Sequence, residues 1–305
     1  MQTKFLCFLV LLASLHCAAQ HRDSSIFKYP IQMDEVVVKA ARGGWDVKGF
    51  IRRVQHDTTF YKAFRSMNLV SYNAVNDIRI YDKNEKVQAS LFSHTHQVAS
   101  KGCRSMKVLD EKVTGDFYKR NRKYNYYTAE LYAYLFFTID TVCGENDIVS
   151  GKLDEHGKGS LEKAKSQLKQ LIFNPGGHIT GVPLMGDKAA IFDADVAKRY
   201  DFKLLSEEYD GQPCYVFKAI PKTGEEKNVV YNELSTWFRK KDYSIVARDY
   251  SLSYHTFLYD FDVHMHVRTH QVGRRLLPTS IEYDGNWHVF TRKRERVKFT
   301  TQFKY

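Results

Sequence analysis

One run holds most of the ligating and titratable side chains in a short space: Phe261-Asp262-Val263-His264-Met265-His266-Val267-Arg268-Thr269-His270. In an extended strand, alternate residues share a face. Phe261, Val263, Met265 and Val267 then point one way, and Asp262, His264, His266, Arg268 and His270 the other. Two imidazoles at i and i+2 can ligate one zinc ion, with Asp262 as a third ligand. The chemistry would be metal-dependent hydrolysis. Arg268 places a positive charge on the same face, and the polar side of an amphipathic strand gives this spacing with no metal at all. That solvated-face reading outweighs the metal reading. His94-Thr95-His96 is a second such pair, and nothing in the sequence brings it to the first.

Other chemistry finds little support. Gly176-Gly177-His178 and Gly181 lack the lysine and the strand–loop–helix order of a phosphate loop, and these glycines end a helix instead. There is no Gly-x-Ser-x-Gly elbow and no assignable nucleophile–base pair. No Cys-x-x-Cys spacing occurs, so neither a zinc ribbon nor a redox pair is indicated, and no cofactor is expected. Ligand-holding capacity lies instead in apolar side chains at alternating positions. Trp237, Tyr250, Leu252, Tyr254, Phe261, Val263, Met265, Ile281 and Tyr283 would crowd one or both faces of a C-terminal sheet. Such a wall can pack on helices, which is the commoner outcome, or leave a slot for an acyl chain. Arg239, Lys240 and Lys241 at one turn, with Arg274 and Arg275 at another, are candidate rim contacts for an acidic head group.

The elements that would position these residues follow from periodicity and turn chemistry. Ile31–Ala40, with three consecutive valines, reads as a short strand or an extended docking segment. Phe50, Ile51, Val54, Tyr61 and Phe64 recur at helical spacing across 46–66, with Asp46 as cap and Asp57-Thr58-Thr59 as a break. Asp77–Tyr81 and Val87–Phe92 alternate around a turn at Asp82–Glu85. The aromatic stretch Tyr124–Phe137 reads as one long strand, with a buried helix as the competing reading. Residues 144–160 form a polar loop, a helix follows from Ser160 to Phe173, and 178–188 is again a loop. A small helix lies near 193–199. The last third is a meander. Its first hairpin turns at Tyr209–Gln212, and strands follow near 230–240, 244–256, 257–271 and 276–304, the last broken at Asp284-Gly285-Asn286.

Composition sets the frame. With 43% hydrophobic and 27% charged residues, a folded core is expected rather than disorder. Twenty Tyr and twenty Phe tilt the reading towards sheet. Met1–Ala19 has a basic start, an uncharged apolar run from Phe5 to Leu15, and small residues at Cys17 and Ala19, the pattern of a cleavable signal peptide. The run is too short to span a bilayer, and no later segment is apolar enough to do so. The net charge of +11 on an exported chain points away from nucleic acid and towards acidic envelope surfaces, or simply serves solubility. Of Cys103, Cys143 and Cys214, the first two are the favoured disulfide in an oxidising compartment, although all three could equally be small buried residues.

Three resemblances follow. Asp34-Glu35-Val36-Val37-Val38 resembles segments that precede the plug of outer-membrane receptors of Bacteroidota, but no plug or large barrel follows it here. Leu234–Arg248, read as strand, turn and return strand, together with Pro278-Thr279-Ser280-Ile281 two strands later, resembles the carrier fold of lipoprotein-sorting proteins. That likeness implies a curved antiparallel sheet wrapping helices and a greasy cavity. Asp57–Phe64 and Gly285–Phe290 resemble segments of an uncharacterised exported protein family of Bacteroidota, which implies export and no known activity.

The expectation is therefore an α+β chain built on a curved, mainly antiparallel, half-barrel-like sheet with helices packed on it. Residues 1–19 would be the signal, 20–44 an extended lead-in with a short strand, and 45–305 a β-rich domain with a possible subdivision near 144–160. The expected function is non-catalytic binding of a lipid or acylated envelope component in an apolar cavity. Trp237, Tyr250, Tyr254, Phe261, Met265, Arg239, Lys240 and Arg274 would be the contacts. The alternatives are an accessory subunit of an outer-membrane assembly, docking through Val36–Val38 by strand addition, and the hydrolase built on His264 and His266.

Overall fold

The computed structural model describes residues 27–144, 170–178, 185, 188–256, 259–289 and 293–305. The signal peptide, nearly all of the 144–160 loop with the subdivision expected there, and the start of the following helix lie outside them. The strands are β1 (Ile31–Met33), β2 (Tyr72–Tyr81), β3 (Val87–Ser100), β4 (Cys103–Thr114), β5 (Thr141–Cys143), β6 (Tyr200–Tyr209), β7 (Gln212–Pro221), β8 (Tyr231–Arg239), β9 (Ile245–His255), β10 (Tyr259–Val272), β11 (Arg275–Val289) and β12 (Glu295–Lys304). They form one open, curved sheet in the order β1-β6-β7-β8-β9-β10-β11-β12-β2-β3-β4-β5. Every neighbouring pair is antiparallel except β1–β6. The helices are α1 (Glu35–Arg42), α2 (Val47–Gln55), α3 (Thr59–Met67), α4 (Tyr127–Phe136) and the single turn α5 (Ala194–Ala197). The α+β architecture read from sequence is the architecture found.

Local chemistry explains most boundaries. Asp210 and Gly211 both have positive φ, which lets a two-residue turn join β6 to β7. Asp82 Oδ1 accepts from the amides of Asn84 and Lys86, at 2.8 and 2.9 Å, and closes the β2–β3 hairpin. Asp46 caps α2 through Gly49 N, and Asp57 accepts from Thr59 N at the start of α3. The break expected at Asp57-Thr58-Thr59 therefore separates two helices.

Three expectations are corrected. Val36–Val38 is helical, so it offers no strand for docking. Asp34 Oδ1 accepts from Val37 N at 2.8 Å, its Oδ2 accepts from Ser206 N at 2.5 Å, and Val37 is fully buried. One capping carboxylate and one buried side chain override the β-propensity of the valines. Tyr127–Phe136 is likewise a helix. Its cap is remote, since the Glu295 carboxylate on β12 accepts from Tyr127 N and Thr128 N, both at 2.8 Å. Finally, Asp284-Gly285-Asn286 does not break the last strand. Gly285 sits mid-strand opposite Val263 and Val297. A β-carbon there would lie 2.0 Å from the Tyr283 hydroxyl, because that ring folds over the glycine. The Tyr283 ring also stacks on Phe299 at 4.6 Å, and its hydroxyl accepts from Trp287 Nε1.

The helices cover one face of the sheet. Phe50 of α2 meets Phe238 of β8 edge-on at 5.2 Å. Phe64 of α3 meets Phe173, in a helical turn at 170–173, at 4.2 Å. Tyr132 of α4 meets Phe299 of β12 at 4.6 Å. The chain enters and leaves α4 through a disulfide between Cys103 and Cys143, which are register partners on β4 and β5. Closing a loop of that length stabilises the fold by about 4 kcal/mol on chain-entropy grounds. Cys214 is buried and free, and its burial raises the thiol pKa.

Gly285→Ala provides a test of this packing. The Tyr283 ring is held by Phe299 and Trp287 and cannot swing clear, so the substitution should lower stability by about 1–3 kcal/mol, read as a shift in urea midpoint at unchanged m-value. An unchanged midpoint would show that the ring does not occupy that space.

Candidate functional site

The covered face of β9–β11 gathers four of the residues singled out from sequence. Tyr254 pairs with Phe261 and Tyr250 with Met265, and all four are buried. The Tyr250 hydroxyl donates to Ile172 O at 2.6 Å, with Met265 Sδ 3.3 Å away, and burial raises its pKa well above the usual tyrosine value. Phe261 lies 4.7 Å from the Trp287 ring. Trp237 does not join them. It is half-buried on the open face, where Nε1 donates to Glu207 Oε2 at 3.2 Å and its ring lies 5.4 Å from Tyr209. Strand alternation separates the sets, since Thr236 and Phe238 take the covered side of β8.

Packing is close where α4 meets the covered face of the sheet. Between α4 and the β11–β12 wall, lined by Leu131, Leu135, Tyr283 and Trp287, about 10 Å³ is free, barely room for one water. At that point the side chains of α4 and of β11–β12 leave no room for an acyl chain. Arg248 is also buried in this layer, with Nε donating to Thr236 Oγ1 at 3.0 Å and the guanidinium 4.3 Å from the Phe60 ring centre. Its burial lowers its pKa. Further along, the layer turns polar. Tyr132 OH donates to Asn76 Oδ1 at 2.7 Å, and Gln97 Nε2 donates to Met67 O and Val70 O at 3.0 and 2.9 Å. Burial raises the Tyr132 pKa.

A larger space opens at the sheet edge. Phe27 of the lead-in, Ile31 of β1, and Val47 and Ile51 of α2 wall a groove of about 120 Å³. Lys48 and Arg52, one helical turn apart, complete its lining, and both are exposed. Arg52 lies 3.9 Å from Asp46, a loose exposed pair. This is slightly smaller than an engineered cavity of about 150 Å³ that takes one benzene ring. Sequence analysis missed it because its walls come from a non-helical lead-in and a helix, which share no periodicity.

The proposed rim residues divide. Arg239 donates through Nε and Nη2 to the Asp242 carboxylate at 3.0 and 2.8 Å, which lowers the Asp242 pKa to about 2. Lys240 Nζ donates to Ser206 Oγ at 2.6 Å and lies 4.8 Å from the Tyr215 ring centre. Arg274 is exposed beside Gly273 in the β10–β11 turn.

His264 and His266 share the open face, as alternation requires, but their acidic neighbour is Asp249 of β9. His266 Nδ1 and His264 Nε2 lie 3.0 and 3.4 Å from Asp249 Oδ2. The remaining ring nitrogens meet Tyr209 OH and Ser251 Oγ, both at 2.8 Å. Asp262, the third ligand expected from sequence, is exposed and pairs across to Ser253 and Asn286. Among the described residues no group of three or more His, Cys, Asp or Glu side chains is arranged to hold a metal ion. His94 meets Asp110 at 2.5 Å and His96 meets Asn73 at 2.9 Å, on β3, which three strands separate from β10. Counting back from the β9–β10 turn would have set Asp249 opposite His266.

No protein-family model matches the chain, and no curated protein matches it. Several solved structures are similar to it, among them the following two. One, from Vibrio parahaemolyticus, is described as an outer membrane lipoprotein-sorting protein domain. It is 10% identical with a TM-score of 0.24, covering 80% of this chain and 89% of that one. The other, a DUF1329 family protein from Desulfovibrio piger ATCC 29098, is 13% identical with a TM-score of 0.23, covering 81% and 92%. Likeness this loose assigns neither ligand nor activity. No helix among the described residues is long and apolar enough to cross a membrane.

The histidine arrangement makes a testable claim. Asp249→Ala leaves two imidazoles without their shared acceptor and should lower stability by about 1–3 kcal/mol in denaturant titration. Elemental analysis of protein purified without chelators should find no stoichiometric zinc. A one-to-one zinc that disappears in H264A/H266A would restore the metal reading.

Proposed function

We propose that this chain is an exported, non-catalytic cell-envelope protein that binds a lipid or lipidated component at the groove between the lead-in and α2. The groove carries the reading. Its walls are apolar, and Lys48 and Arg52 are the cations of its lining, so it matches an amphiphile with an acidic group beside its chain. Its size suits a few carbons rather than a whole acyl chain, so most of a longer chain would lie outside or displace covering helices. The wall of Tyr250, Tyr254, Phe261 and Met265 supports the reading less directly, as the apolar layer behind those helices. Trp237 lies on the other face and is not part of such a site.

Native mass spectrometry after mild purification should show a co-purified alkyl-chain species on the wild-type protein. Ile51→Trp, which fills the groove, should lose it, and the exposed double variant K48E/R52E should retain at most about a tenth of the affinity for a fluorescent fatty acid. Circular dichroism separates loss of ligand from loss of fold. Retention by all variants, or absence of any bound amphiphile on the wild type, would overturn the reading.

A further inference from the structure

The antiparallel order brings several turns to one end of the sheet. β8 and β10 run the same way, so the turns after Arg239 and Val272 lie side by side, and β2 begins at that end, since Asn73 pairs with Lys304. Lys241, Arg274 and Arg275 are exposed there. Acids at this end include Glu208, Asp210, Asp242 and, beside Trp45, Asp46; Arg239 pairs with Asp242 and Arg52 lies 3.9 Å from Asp46. Two exposed apolar side chains lie at the same end, Val272 beside the β10–β11 turn at 39% and Leu69 before β2 at 47% exposure. Aromatic groups with polar tips lie at the same end. Trp45 stacks on Tyr215 at 3.9 Å and donates from Nε1 to the Tyr243 hydroxyl at 2.9 Å, with Arg53 5.5 Å from the Tyr243 ring centre.

Cations and exposed aliphatic tips at one end of the sheet, with half-buried Trp45 and Tyr243 behind them, suit a bilayer surface, from acidic head groups to the first apolar depth. We propose that this turn-bearing end docks on an anionic lipid surface. A purely acidic protein partner would use the cations but would leave Val272 and Leu69 without an apolar counterpart. The docking stands whether or not the edge groove takes an acyl chain.

Vesicle co-sedimentation tests it with the full mature chain. Wild-type protein should bind phosphatidylcholine vesicles containing phosphatidylserine and should not bind pure phosphatidylcholine. Raised salt should weaken the binding. K241E/R274E/R275E should lower the partition coefficient at least about tenfold. The matched variant K83E/K86E/K293E, which makes the same charge change at the opposite end, should stay within about twofold of wild type. V272D should weaken binding without changing the cations. All these positions are exposed, and circular dichroism confirms folding. Equal losses in the two triple variants would show that overall basicity is responsible and overturn the proposal. So would binding to neutral vesicles, or no binding to acidic ones.

Discussion

The two-residue period of the strands is the constraint from which the arrangement follows. Along β10, Phe261, Val263, Met265 and Val267 are buried, while Asp262, His264 and Arg268 are exposed and His266 is half-buried. Antiparallel pairing carries that alternation across the sheet, so Tyr250 must meet Met265 on one side and Asp249 must meet His266 on the other. A one-residue slip would bring the histidines under the helices and the tyrosines into water. The apolar wall and the polar histidine cluster are therefore two consequences of one register.

That register was readable from sequence wherever a short turn fixed it. Asp210-Gly211 joins β6 to β7 without a register shift, whereas shifts fall at Ile80/Tyr81 near Asp82–Glu85 and at Trp237/Phe238 near Lys240–Asp242. The readings failed where the deciding partner was distant in sequence. α4 is capped by Glu295, far along the chain, and its apolar residues run all round the helix, so no period distinguishes it from a buried strand. α1 carries three β-branched residues, and only Asp34, bonded to both Val37 and Ser206, tips the balance. Gly285 looked like a break because glycine usually marks one, whereas here it makes room for a tyrosine ring. Of the candidate site, alternation gave the shared face on β9 and β10 but not the face of Trp237 on β8, and the close packing of α4 against the sheet was not legible either. That packing depends on how helix aromatics interlock, and composition does not encode that.

The covering layer is fastened as well as packed. The Cys103–Cys143 disulfide ties the segment before α4 to the segment after it, Glu295 holds its first turn, and Tyr132 hydrogen-bonds into the sheet. Opening the centre of the concavity would expose buried phenyl rings and leave Asn76 without a hydrogen-bond partner it now has. Both changes are unfavourable, the first at about 25 cal/mol per Å² of apolar surface exposed. The edge groove needs neither, because its walls are a short lead-in and one helix.

Charge placement follows the same division between centre and margin. The buried Arg248 keeps its charge within the covered layer through Thr236 and the face of Phe60. Arg239 is paired with Asp242, and His266 with Asp249. Exposed cations stand at the turns, among them Lys241, Arg274 and Arg275, where side chains are solvated and their desolvation on meeting a partner is small. A basic surface made this way is weak at any single residue, and long-range attraction to an acidic surface comes from the sum. The apolar tips at Val272 and Leu69 add a short-range term that charge alone lacks. Together they distinguish an end that can rest on lipid from a surface that is merely soluble.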